Sequence, residues 1–384
     1  MKKVLATILA LVMALGVTTA AWAEGEGATK VAKIGDTEYA TLQEAVNAAT
    51  AGQTIVLQDN VTLTASLNVA VDKTVTLDLN SYKITADMNG PHMICNAGNL
   101  TITDSSENKT GEIAKIGAET NFGYVIENHG TMTLDRCKIS STSVKSSAIE
   151  NGWYTASANT AGTSCTMTIQ NAEVVSVNAA GGLYTVKNDD YGVMVINGGV
   201  FTNGVAGAGA VLNWNDLTIN GGTFTGASAV RTLKSGSSDF ETGKSQIKNG
   251  TFNGGIDTLD GYKTGITIAV TGGTFSTDVT EYLAEGKILQ KNGDTYTAVT
   301  NSAITSGTYT SEPTVPSGYK ATKNDDGTWT VSKVSYYYYQ PTTDTKTTDT
   351  KGSPKTFDAG IALYVGMALT SAAGVAFVGK KRED

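Results

Sequence analysis

Two glutamates are the residues of this chain whose types and spacing are best suited to chemistry. Glu127 and Glu150 each lie in an Ile-Glu-Asn tripeptide, at 126–128 and 149–151. If the tripeptides occupy adjacent strands, the carboxylates lie about 5 Å apart, the separation found in retaining glycosidases. Two carboxyl groups so close also separate their pKa values, as an acid and a nucleophile require. The two glutamates are therefore the candidate catalytic pair.

A solvated column of charge is the alternative interpretation of the same residues. Lys187 takes the equivalent place in a further copy, Val186-Lys187-Asn188. Acidic and basic side chains that alternate on exposed positions are common on protein surfaces, and each such ion pair contributes little to stability. We favour the solvated column over catalysis.

Asp189 and Asp190 are the candidate metal ligands, because paired carboxylates can hold calcium. Both stand where a turn is expected, and Asp is a common turn residue, so the turn is the favoured interpretation. His92 and His129 are the two histidines of the chain, and neither has a partner at metal-ligand spacing. We expect no metal and no cofactor.

Aromatic rings beside amides form the candidate ligand-binding site. Rings flanked by amides and carboxylates on a shallow surface suit the stacking and hydrogen bonding of sugars. The rings could equally serve only to cover a corner of the fold. The candidate residues are Trp153, Tyr154, Trp214, Asn215 and Asp216.

The elements that must position these residues come from a phrase repeated along the chain. Its clearest copies are VKNDDYGVMVINGGVF at 186–201 and VLNWNDLTINGGTF at 211–224. Apolar residues alternate with Thr inside each copy, which predicts a strand, and Asn-Gly-Gly then predicts a sharp turn. A repeat of this length predicts a solenoid, in which each coil buries its apolar face against its neighbours.

The copies align on the last apolar residue of each strand. The steps between these anchors run from 23 to 35 residues, so the longer coils carry loops. The large insertions at 152–164 and 233–244 then fall at one corner of the coil. The anchors are Ile102, Leu134, Ile169, Ile196, Ile219, Ile247 and Val270.

Two further columns follow from this alignment. An Asn after an apolar residue recurs at one corner, where stacked amides about 4.8 Å apart can hydrogen-bond along the solenoid. A Phe closes each of the later turns, and these rings should stack. The columns are Asn96, Asn128, Asn151, Asn188 and Asn213, and Phe201, Phe224, Phe252 and Phe275.

This repeat pattern resembles the right-handed parallel β-helix, the pectate-lyase-like fold, over residues 31–275, and the predicted β-helix domain is 31–278. The segment 39–57 resembles the entry of such folds: Thr41 and Glu44 form a capping box for a helix that covers the first coil. We therefore predict an all-β, single-stranded parallel β-helix with an N-terminal capping helix. Residues 279–333 should add a capping helix and β-hairpins, with Asn-Gly and Asp-Gly turns.

The two ends of the chain predict export and anchoring. Residues 1–23 have the basic start, the apolar stretch and the Ala-Trp-Ala end of a signal peptide. A Tyr-, Thr- and Asp-rich stretch, 334–352, has too little apolar surface to fold. The last segment, 353–384, contains an apolar run that is long enough to span a membrane and a basic tail.

This ending resembles the sortase sorting signal of Gram-positive surface proteins. The resemblance implies that Pro354 and Thr356 belong to the sorting motif, and that a sortase-like enzyme joins Thr356 to cell-wall peptidoglycan. Phe357 departs from the pattern, where Gly is usual. The open outcomes are a sortase of altered specificity, retention by the membrane segment, or a plain C-terminal transmembrane helix.

Composition narrows the function. The net charge is −8, with no basic run outside the termini, so nucleic acid is not an expected partner. The leading prediction is a non-catalytic protein of the Gram-positive cell surface that acts in adhesion or binds host or dietary glycans. The alternatives are a polysaccharide lyase or glycoside hydrolase of the same fold, and a passive surface stalk.

Overall fold

The computed structural model describes residues 29–336, apart from 87, 91, 117–121, 143–144, 154–157, 160–161, 178–182 and 235–242. Residues up to Val334 belong to one compact unit, and 335–384 to a second, of which only Ser335 and Tyr336 are described. The predicted signal peptide (1–23), the sorting signal (353–384) with Pro354 and Thr356, and nearly all of the predicted linker lie outside the described residues. Within the described part, no helix is long and apolar enough to cross a bilayer.

The described chain is all-β, with 29 strands in one mostly parallel hydrogen-bonded network, as a β-solenoid requires. Three ladders of parallel strands run through it, and each strand pairs with the equivalent strand of the coil before and the coil after. The first ladder contains β3 (Gln53–Leu57), β6 (Thr74–Asp78), β9 (Asn99–Thr103), β12 (Thr131–Ser141), β14 (Cys165–Ser176), β16 (Gly192–Ile196), β19 (Asp216–Ile219), β21 (Lys244–Ile247) and β23 (Thr267–Val270).

The second and third ladders complete each coil. The second contains β4 (Val61–Leu63), β7 (Lys83–Ala86), β10 (Glu112–Lys115), the later halves of β12 and β14, β17 (Gly199–Asn203), β20 (Thr223–Thr232), β22 (Thr251–Asp257) and β24 (Thr274–Phe275). The third contains β5 (Leu67–Val69), β8 (Ile94–Asn96), β11 (Ile126–Asn128), β13 (Ile149–Asn151), β15 (Tyr184–Asn188), β18 (Gly209–Asn213) and the later halves of β20 and β22.

The predicted register is confirmed at every anchor. Ile102, Leu134 and Ile169 are direct cross-strand partners, and the pairing continues without a slip to Val270. The anchors are fully buried. Side chains alternate along a strand, so those of the anchors point into the core of the solenoid while that of the intervening Thr points outward. The sequence alignment missed two earlier members of this column, Ile55 and Leu77.

The predicted phenylalanine column is also confirmed. The rings of Phe201, Phe224, Phe252 and Phe275 are stacked nearly parallel, with centroids 4.9–5.0 Å apart. All four side chains are buried. Gly222 has φ 110°, a conformation that L side chains rarely adopt, and a Cβ there would meet the Phe224 ring at 3.3 Å. Glycine therefore suits this turn both by its backbone conformation and by the space beside the Phe224 ring.

Both ends of the apolar core are covered. At the N-terminal end, helix α1 (Leu42–Ala48) has the predicted capping box of Thr41 and Glu44 and buries Leu42, Ala45 and Val46. A hairpin of β1 (Ala32–Ile34) and β2 (Thr37–Tyr39) pairs with β3. These elements cover the first coil, as predicted.

At the C-terminal end, antiparallel strands replace the parallel ladder. The hairpin β25 (Lys287–Asn292) and β26 (Thr295–Thr300) joins β24 through β26, and β27 (Gly307–Tyr309), β28 (Tyr319–Lys323) and β29 (Trp329–Lys333) follow. The predicted capping helix is only a 3₁₀ turn, Thr280–Tyr282, although the adjacent Val279 is buried against the solenoid core.

Candidate functional site

The candidate site is built on a buried ladder of asparagines at the ends of β8, β11, β13, β15 and β18. The amide nitrogen of each Asn donates to the amide oxygen of the next, at 2.7–2.8 Å through the whole series. The same nitrogens also donate to backbone carbonyls of the following strand, such as Thr131 and Thr166. The ladder predicted from sequence is confirmed, and it fixes the residues on either side of each Asn in register.

The residue before each Asn forms a second column. Cys95, Glu127, Glu150 and Lys187 are consecutive cross-strand partners in this column. The predicted alignment of the two glutamates with Lys187 is therefore confirmed. The predicted solvated character is wrong for Glu150, whose residue is only 1% exposed.

Glu150 is held in a closed polar cluster. Tyr124 and Asp189 lie beside its carboxyl group, and its Oε1 atom has no hydrogen-bond partner among the described residues. Lys187 Nζ lies 3.9 Å from Glu150 Oε1 and contacts the Asp189 carboxylate directly. Burial raises the pKa of Glu150 to about 9, with the Lys187 charge opposing and the Asp189 charge assisting that shift. Burial therefore favours the protonated, neutral form of this carboxyl group.

Replacing Glu150 by Gln should flatten the pH dependence of stability. Because the folded-state pKa of Glu150 lies above the unfolded value of 4.5, its contribution is full below pH 4.5 and is lost as pH rises toward about 9. Relative to Glu150→Gln, the wild-type free energy of unfolding should fall by about 1.4 kcal/mol per pH unit inside that window. Urea unfolding of both proteins at pH 5, 6.5 and 8 measures this difference. Parallel pH profiles would contradict the buried neutral acid.

Glu127 occupies a different environment, half-buried and bracketed by both histidines of the chain. His92 Nε2 lies 3.4 Å and His129 Nε2 3.9 Å from Glu127 Oε1. The backbone N–H of Tyr124 donates to His92 Nδ1, so the neutral His92 ring carries its proton on Nε2, facing Glu127. Burial lowers the pKa of His129, while Glu127 opposes that shift.

Trp153 belongs to an aromatic stack rather than to an open platform. Its ring lies 4.4 Å from that of His129 with an interplanar angle of 2°, and Tyr191 meets it edge-on at 5.9 Å. Its backbone N–H donates to the Asp190 carbonyl, which ties it to the next coil. Tyr154, the other aromatic residue of this candidate pair, lies outside the described residues.

Trp214 lies in a second aromatic group, where it meets Tyr262 edge-on at 5.9 Å. The Asn215 amide donates to the Gly192 carbonyl at 2.9 Å, and the Asp216 carbonyl accepts from the Asn188 amide. These residues therefore hold adjacent coils together. Trp153 and Trp214 share a corner, as predicted, but their rings pack in different groups.

The two aspartates of the candidate metal site are buried residues of a turn, and Asp189 contacts its neighbours there. Asp189 is buried, contacts Lys187, and accepts a hydrogen bond from the backbone N–H of Asp190. Asp190 is also buried. Within the described residues, no three His, Cys, Asp or Glu side chains are grouped so that they could hold a metal ion.

A groove of about 340 Å³ lies between helix α1 and His129. Ala70, Ala97 and His129 take equivalent places on successive coils, since the N–H of Ala97 donates to Val69 and that of His129 to Asn96. The two alanines leave a gap, and His129 is the first large side chain to close it. The groove is lined by Gln43, Asn47, Asn68, Val69, Ala70, Cys95, Asn96, Ala97 and His129.

The groove has polar walls without a charged side chain among its lining residues. Gln43 accepts from the Asn68 N–H and donates to its carbonyl, and it also donates to the Asn47 side-chain oxygen. Burial, with help from Glu127, raises the pKa of the Cys95 thiol to about 11, so this wall stays uncharged. Sequence reasoning missed the groove and the convergence of the histidines. The convergence of the histidines could have been inferred only from their places in the repeat: His92 stands two residues before Ile94, and His129 directly follows Asn128.

Comparisons with protein-family models, with curated proteins and with solved structures each found no match to this chain.

Proposed function

We propose that this protein is a secreted, surface-anchored solenoid of the right-handed parallel β-helix type that binds glycans without transforming them. The observation that carries the proposal is the groove between α1 and His129. Its lining combines side-chain amides with an imidazole ring and lacks charged groups. Amide donors and acceptors beside an aromatic face are the combination that sugar hydroxyls and sugar C–H faces require.

The burial of Glu150 favours binding over catalysis. A general acid or nucleophile must reach the glycosidic bond, within about 3 Å of its oxygen. Glu150 is 1% exposed and enclosed by Tyr124, Lys187 and Asp189, whereas the Glu127 side chain is 20% exposed. The geometry thus offers one partly exposed carboxylate where a glycosidase uses two.

Display at the cell surface is the second part of the proposal. It rests on the signal peptide, the linker and the sorting-type ending with Pro354 and Thr356. A sortase-like enzyme would transfer Thr356 to peptidoglycan, or the apolar segment would retain the protein in the membrane. A Gram-positive cell wall or cell surface is the location that this ending suits.

A glycan array and a sugar-release assay test the functional part directly. We expect the purified protein to bind immobilised glycans saturably and to release neither reducing ends nor unsaturated sugars from polysaccharides. Release that is abolished by Glu127→Gln would favour the enzyme instead. The absence of both binding and release would favour a passive stalk.

A Gram-positive host that carries the full gene tests the anchoring part. We expect the wild-type protein in the cell-wall fraction and Thr356→Ala in the membrane fraction, because the acyl donor would be missing. Recovery of both proteins in the membrane fraction would indicate retention by the apolar segment.

A further inference from the structure

The groove between α1 and His129 is bounded by features that belong to two different parts of the fold. One wall is the helix, which presents Asn47, an exposed side chain, and Gln43. The opposite wall is the His129 ring, whose far face is covered by Trp153 at 4.4 Å. One ring face of His129 is therefore occupied by protein, and His129 still lines the groove.

The length of the gap limits what fits inside it. Ala70 and Ala97 are exposed residues on adjacent coils, so two coils, or about 10 Å at the strand spacing, separate the walls. A volume of about 340 Å³ lies at the small end of ligand sites. The gap suits one or two sugar rings rather than a long polysaccharide chain.

The charges around the gap decide the kind of sugar. The groove is lined by uncharged residues. Two charged side chains lie next to that lining: Lys73 Nζ donates to the Asn47 carbonyl at 2.6 Å, and Glu127 Oε1 lies 3.9 Å from His129 Nε2. The protein as a whole has net charge −8. A uronic acid would meet no cation in the lining, because the Lys73 ammonium beside it is engaged with the Asn47 and Ala49 carbonyls. The net negative charge of the protein would also disfavour its approach. A neutral sugar avoids both costs.

We infer that the groove between α1 and His129 is a binding site for a neutral mono- or disaccharide unit. One face of the sugar packs on the His129 ring, and its hydroxyls hydrogen-bond to Asn47 and Asn68. Trp153 acts as a positioning residue that holds the imidazole in place. This inference rests on the proposed glycan-binding function and specifies where and what the protein binds.

A bulky substitution that fills the groove tests whether the sugar binds there or elsewhere on the protein. Ala97→Trp should weaken sugar binding at least about tenfold, because the indole would occupy the gap, and His129→Ala should weaken it about tenfold through loss of the stacking face. Ala227→Trp places the same ring on an exposed alanine of β20 and should bind like the wild type. Thermal unfolding of each variant verifies that it is folded.

The probes are glucose, galactose, mannose, N-acetylglucosamine, cellobiose, lactose and galacturonic acid, titrated into the purified protein by calorimetry. We expect binding of at least one neutral sugar and weaker binding of galacturonic acid. Undiminished binding by folded Ala97→Trp, or preferential binding of galacturonic acid, would contradict the inferred site for a neutral sugar. Either result would still agree with the proposed glycan-binding function. If neither the calorimetry nor the glycan array detects binding, the proposed function fails, and the site fails with it.

Discussion

Phe224→Ala should lower the free energy of unfolding by about 3–5 kcal/mol, the range for removing a fully buried Phe. Phe224 is 0% exposed and lies between two stacked neighbours, Phe201 at 4.9 Å and Phe252 at 5.0 Å. Its removal opens a cavity within a column rather than at an end, so neighbouring rings can fill it only by moving the turns that carry them. Urea unfolding measures the change.

Phe122→Ala is the matched control, because it removes the same ring from a position that is 46% exposed. That ring contacts Tyr124 and His92 edge-on, so we expect a loss of about 1 kcal/mol. Equal losses in the two variants would show that the stack contributes no more than an ordinary surface ring contact.

Asn151→Ala should be nearly as damaging, with a loss of about 3–4 kcal/mol. Asn151 lies in the middle of the ladder: it accepts from Asn128 at 2.7 Å and donates to Asn188 at 2.8 Å. Its removal leaves the buried Asn188 amide oxygen without its donor, which costs about 1–3 kcal/mol, and also removes the hydrogen bond from Asn128, worth about 1 kcal/mol. The Asn128 nitrogen keeps the Gly130 and Thr166 carbonyls. The denaturation midpoint should fall while the slope with urea stays constant.

The chain supplies its own control for the ladder. Asn220 donates to Asn197 at 2.7 Å across adjacent coils, in the same geometry but at an exposed position. Asn220→Ala should therefore cost less than about 0.5 kcal/mol, since water replaces the lost bond. If Asn220→Ala and Asn151→Ala cost the same, burial is not what makes the ladder important.

Much of the fold was predictable because the repeat links sequence position to spatial position. Ile102 and Val270 lie far apart in the chain, yet equal positions in successive coils become neighbours in one column. The same logic placed Asn151, Glu150 and Phe224 in their columns. Side chains with one strong structural role, such as an inward Ile or a buried amide, repeat visibly and can be aligned by eye.

The parts that could not be predicted depend on residues outside the repeat. Glu150 was assigned to the solvent from its alternation, but Tyr124, which precedes a strand, and Asp189, which follows one, enclose it. For Trp153 the sequence leaves open whether the ring faces a sugar or covers a corner of the fold, and its ring is stacked on His129. The groove arises from two small residues, Ala70 and Ala97, and a gap leaves no positive pattern in a sequence.

The central claim, that this solenoid binds a sugar in the groove beside His129, can be tested by observing its histidines. The chain has only two, His92 and His129, so the protons on their Cε1 atoms give two NMR signals, and His129→Gln identifies which is which. We predict that a neutral sugar that binds the protein shifts the His129 signal saturably and displaces the His92 signal much less. An unmoved His129 signal at a saturating sugar concentration would contradict the claim.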